Sequence, residues 1–127
     1  MEVKEAYCSY EAAKLLKEKG FNASLHYYYD DEGNRIYTAF GKDNSGKINV
    51  VCPTHQMACA WIRKKGYSVE VHATPVGWHW EVCKVNGTAI AFGGNVPSDK
   101  TNDGDAYDDY DECMDNALMY VLTNLMI

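Results

Sequence analysis

Apolar positions in this chain switch between two periods, and the switches mark helices and strands. Ala12, Leu15, Leu16 and Lys19 form a stripe at three- and four-residue steps. Ser9 stands ahead of them as an N-cap, Glu11 falls in the positive first turn, and Gly20 ends the run in a left-handed conformation with Phe21 folding back. Met57, Ala58, Trp61 and Ile62 repeat the pattern. Pro53 opens this second helix, and Arg63, Lys64 and Lys65 lead to a Gly66 stop. Tyr110, Cys113, Met114, Ala117, Leu118, Val121, Leu122 and Leu125 predict a terminal amphipathic helix of about four turns.

Between the helices the period falls to two. His26–Asp30 and Ile36–Phe40 read as a hairpin around the turn cluster Asp31-Glu32-Gly33-Asn34, and Lys47–Cys52 as a short strand. Tyr67–Ala73 and Trp78–Val85 alternate, and Asn86-Gly87 predicts a type I′ turn into Thr88–Phe92. The order α-β-β-(β)-α-β-β-β-α contains no βαβ alternation. It predicts an α+β domain over residues 1–127, with a mainly antiparallel sheet of about five or six strands and three helices on one face. No internal repeat is read.

Composition narrows the class. With 127 residues, 46% apolar and 24% charged, the chain belongs with globular proteins. No apolar run reaches the length of a membrane span, and the first residues lack a signal-peptide core, so a cytoplasmic location is expected. Five cysteines, odd in number and flanked by apolar residues, read as buried free thiols rather than a disulfide framework.

Charge is concentrated in one place. Asp99–Asp115 holds eight carboxylates and one Lys, a balance of −7, while the whole chain carries −6. As a calcium loop anchored on Gly104, the tract supplies Asp99, Thr101 and Asp103 but puts Tyr110 where a bidentate Glu belongs. Asp108, Asp109, Asp111 and Glu112 instead suit the N-terminal turn of the last helix, with Asp108 or Asp109 as cap. Any partner drawn to the tract is cationic, and its attraction is screened by salt.

Three further constellations carry candidate chemistry. Cys52, His55 and Cys59, with His79 and Cys83, form a zinc-type donor set, but in no recognised finger or ribbon spacing. Cys52, ahead of a helix N-terminus, has a depressed pKa if exposed. Tyr27, Tyr28, Tyr29, Tyr37, Trp78 and Trp80 make an aromatic set, with Arg63 as a nearby cation. On an open sheet face they form a stacking platform for a nucleotide-like ligand; facing the helices they are core. Arg63-Lys64-Lys65 is too small for a nucleic-acid footprint. No catalytic residue, metal ligand or cofactor is assigned.

Three segments together carry a resemblance: Tyr10–Phe21, Cys52–Arg63 and Tyr110–Leu118. They resemble a group of uncharacterised small proteins from gut Bacteroidales and their phages. The resemblance implies a mobile-element setting and a compact α+β fold, but no activity and no functional residues. That setting fits an anti-defence role. The expected function is therefore non-enzymatic binding in the cytosol, of a host protein or a planar nucleotide-like ligand. The alternatives are an oligomerising accessory protein and a small Cys/His enzyme or zinc protein.

Overall fold

The computed structural model describes residues 5–46, 49–92 and 106–126. Helix α1 is Tyr10–Glu18, capped by Ser9, whose hydroxyl accepts from Ala12 N. Strands β1 (Leu25–Tyr29), β2 (Arg35–Lys42) and β3 (Val50–Val51) follow. Helix α2 is His55–Lys64; strands β4 (Tyr67–Thr74), β5 (Gly77–Lys84) and β6 (Ala89–Phe92) precede α3 (Tyr110–Tyr120). A π-helical turn, Val121–Leu125, continues α3.

The α+β class, the three helices and the antiparallel pairing are present. The strands divide into two three-stranded sheets, β2-β1-β3 and β4-β5-β6, rather than joining in one. Each sheet follows its own helix, and α1 and α2 both end in a Lys-Gly-aromatic step with glycine at positive φ (Gly20 98°, Gly66 102°). At the first of these ends Phe21 N donates to Leu16 O and Gly20 N to Lys17 O, closing the free carbonyls of the last turn.

Two expected boundaries shift. Pro53 does not open α2; Thr54 caps it by accepting from Met57 N, which places His55 at the first helical position. The rotation buries His55, Ala58, Cys59 and Ile62 and leaves Met57 exposed. The β5–β6 connection is not type I′, because Gly87 (φ 92°) alone takes positive φ. Gly87 N donates to Lys84 O and Lys84 N to Thr88 O, a turn followed by a glycine bulge.

The main core joins all three helices to the inner face of β4 and β5: Leu16, Ile62, Val82, Leu118, Val121 and Leu122 are fully buried. Burying a side chain of this size contributes roughly 1.5–3 kcal/mol. Ala13, Tyr29, Val50 and Cys52 form a smaller cluster beneath β1 and β3. Among the described residues, no helix is long and apolar enough to cross a membrane.

Candidate functional site: an acidic cleft over a buried Cys, His and Asp

The N-termini of α1 and α2 lie side by side because the segment before each pairs with the other. Cys8 N donates to Pro53 O at 3.0 Å and His55 N to Ala6 O at 2.9 Å. Both ends carry free amides and positive dipole ends, which favour a carboxylate. Asp115 of α3 supplies it. Its Oδ1 accepts from Ser9 N at 2.8 Å and lies 3.2 Å from His55 Nε2. One buried oxygen thus ties three helices together.

Cys8 is fully buried beside this pair, and the ligand-type atoms of Cys8, His55 and Asp115 all lie within 4.8 Å of one another. The neighbouring groups hold the backbone here: Tyr29 donates its hydroxyl to Cys8 O, and the Cys52 thiol approaches the same oxygen at 3.8 Å. His55 Nδ1 is buried with no hydrogen-bond partner among the described residues. Burial pushes the Cys8 thiol well above its ordinary value, and the Asp115 carboxylate pushes it further the same way.

Above these three residues opens a cleft of about 700 Å³. Its rim carries Glu11, Asp109, Asp111 and Glu112, with Tyr7, Tyr29, Asn116 and Met119 between them; among the described residues neither Lys nor Arg lines it. The caps explain the acidity. Asp109 caps α3 by accepting from Glu112 N at 3.0 Å, Asp111 and Glu112 occupy its first turn, and Glu11 occupies the first turn of α1. Carboxylates that suit two helix N-termini therefore converge on one opening. A second cavity of about 380 Å³ shares His55 and Asp111 with the first and is lined also by Cys59 and Arg63.

The residues singled out from the sequence are distributed over several surfaces. Tyr29 is buried and belongs to the cleft wall; Arg63 belongs to the second cavity. Tyr27 and Tyr37 pair across β1 and β2 with ring centroids 5.4 Å apart, next to Tyr7, and Arg35 lies over Tyr7 and Tyr27. Tyr28 sits beneath Lys42. Trp78 and Trp80 lie on the other sheet and face the helices: Trp78 meets Tyr110 edge-on at 5.0 Å, and Trp80, buried, packs on Tyr120 at 5.1 Å. The six aromatics thus share no single platform, and the tryptophan face is core.

The thiol and zinc readings change as well. Cys52 is buried, and desolvation raises its pKa, which overrides the effect expected of a nearby helix N-terminus. Among the described residues the donors that converge are Cys8, His55 and Asp115, and, on the outer face of β4 and β5, Glu70, His72 and Glu81. Cys83 lies on that outer face and donates to Glu81 at 3.1 Å. The calcium-template positions 99–104 lie outside the described residues.

Sequence reasoning missed Cys8 and Asp115. Asp115 carried a readable signal: it stands three and seven residues before Leu118 and Leu122, in phase with the apolar stripe. Cys8 carried none, since its partners are 47 and 107 positions away. Comparison of the chain with protein-family models, with curated proteins and with solved structures finds no significant match in any of the three.

Proposed function

We propose that this protein acts by binding, without chemistry of its own, and that its site is the acidic cleft, which receives a basic group of a partner protein. One observation carries the reading: four rim carboxylates border an opening of about 700 Å³ that, among the described residues, no Lys or Arg lines. Such a field attracts cations and repels phosphates, so it favours a protein partner over a nucleotide-like ligand. The burial of Trp80 and the separation of the tyrosines from the tryptophans support the same choice. The resemblance to phage-borne proteins is the ground for taking the partner to be a host protein, and an anti-defence role rests on that resemblance alone.

Fluorescence anisotropy with labelled oligo-arginine and oligo-glutamate peptides tests the reading. The basic peptide binds at low ionic strength, the acidic one does not, and Glu11→Gln with Asp111→Asn weakens the first by roughly tenfold, about 0.7 kcal/mol for each lost charge contact. Equal binding by wild type and the double variant would remove the cleft as the site.

A second reading, self-association, is favoured by β2. It is an edge strand of eight residues on which Tyr37 and Phe40 are 61% and 84% exposed. Such an edge is a template for strand addition. Light scattering across a concentration series decides it; a strict monomer excludes it.

A further inference from the structure

We propose that Cys8, His55 and Asp115 form a site for one divalent transition-metal ion of the Zn²⁺ class at the floor of the cleft. The inference concerns the floor and does not depend on what the rim binds.

Geometry is the first support. Three donors from three separate places in the fold lie within 4.8 Å of one another. Around a tetrahedral zinc with ordinary bond lengths, two donors stand about 3.6 Å apart. The donors therefore need to close by about an ångström at most. His55 and Asp115 are already at 3.2 Å.

Donor chemistry is the second. A thiol, an imidazole and a carboxylate together suit zinc and its neighbours, whereas calcium and magnesium require oxygen donors throughout. In the liganded form one thiolate and one carboxylate balance the charge of a divalent ion. The Cys8 proton leaves to solvent as the sulfur–metal bond forms.

Access and supply are the third. All three residues line the cleft, so a bound ion borders it and keeps its fourth position towards solvent. The rim carboxylates raise the local concentration of cations at its mouth. His55, with only one of its two ring nitrogens held, is not committed to its present hydrogen bonding. Ser9 N donates to Asp115 Oδ1, and a supported carboxylate is what a metal ligand requires.

Co²⁺ reports on such a site directly. Titrated into reduced, chelator-stripped full-length protein, it should give thiolate-to-cobalt charge-transfer absorption saturating at one equivalent. Zn²⁺ should abolish that absorption, raise Tm and release protons, and a chelator should reverse all three. Cys8→Ser should eliminate the absorption and weaken Co²⁺ binding by more than the roughly 10–100-fold typical of losing a mere supporting group. His72→Asn, on the outer sheet face, should change nothing. X-ray absorption at the zinc edge of wild-type protein should show one sulfur among lighter scatterers, a readout that stands even if Cys8→Ser does not fold. Absence of the absorption, its survival in Cys8→Ser, its loss in His72→Asn, or a zinc shell without sulfur each overturns the proposal. Rim variants Glu11→Gln and Asp111→Asn should leave the cobalt spectrum intact while weakening peptide binding, which separates this site from the rim reading.

Discussion

Asp115 is the residue on which most of the site's structure depends. Its side chain is 12% exposed, and it engages both Ser9 N and the His55 ring. Removing one member of such a buried set leaves the others without a partner. Asp115→Ala should therefore lower unfolding free energy by about 3 kcal/mol. Asp115→Asn keeps the shape and an accepting oxygen and should cost about 1 kcal/mol. Urea denaturation checks both; equal losses would show that the carboxylate does not brace the helices. The thiols give a second prediction at this scale. Burial raises the pKa of Cys8, and of Cys113 to about 12. A raised folded value means the contribution is complete below the unfolded thiol value, about 8.5, and is lost as pH rises through the folded values. Stability should thus decline above about pH 9. At neutral pH iodoacetamide should modify half-exposed Cys83 before the buried Cys8, Cys52, Cys59 and Cys113, with mass mapping as the check.

Among the elements, the connections hold the testable features. Asp30 closes the β1–β2 turn by accepting from Glu32 N and Asn34 N, both at 2.9 Å, and these bonds lower its pKa. A lowered folded value stabilises above the unfolded carboxylate value, about 3.9, and the contribution vanishes as pH falls through the folded value. Acid should therefore loosen this hairpin through Asp30, and Asp30→Ala should shift β1 and β2 amide resonances at neutral pH towards their acid positions. Gly77 is the stricter case. At φ 148° it lies against Tyr107, and an added Cβ would come within 2.5 Å of the Tyr107 carbonyl oxygen. That oxygen accepts from Trp78 N at 2.8 Å, so Gly77→Ala should disrupt the joint between β5 and the start of α3, at a cost of about 1–3 kcal/mol. Capping chemistry made most of these boundaries legible: Ser9 could be named as a cap, and Asp109 as one of two candidates with Asp108, because their neighbours carry the matching pattern. The start of α2 moved two positions, from Pro53 to His55 behind the Thr54 cap, and His55 lies buried there. The division into two sheets was not legible, since alternation identifies which side chains share a face but not which strands pair over long separations. The site was hidden for the same reason. Ser9 and Asp115 are 106 residues apart and His55 and Asp115 are 60, and only the packing of α3 across both helix starts brings them together.

For the whole molecule, the distribution of charge predicts two salt effects of opposite sign. The chain carries −6, and much of its acidity meets around one cleft. Like charges gathered there repel one another in the folded state, and added salt screens that repulsion. Stability should accordingly rise by about 0.5–1 kcal/mol between low and physiological ionic strength, a gain in Tm of about 3 °C for a domain of this size. The same screening weakens attraction between the rim and a cationic partner, so affinity for a basic peptide should fall over the same range. Calorimetry and anisotropy on one set of samples separate the effects. If affinity and Tm fell together, loss of binding would reflect unfolding rather than screening. If affinity held constant while Tm rose, the partner would be held by apolar contact, and β2, with Tyr37 and Phe40 exposed, would replace the cleft as the surface to test. Opposite slopes would leave the rim carboxylates as the binding surface, a role they acquire because residues chosen to start two helices face the same opening.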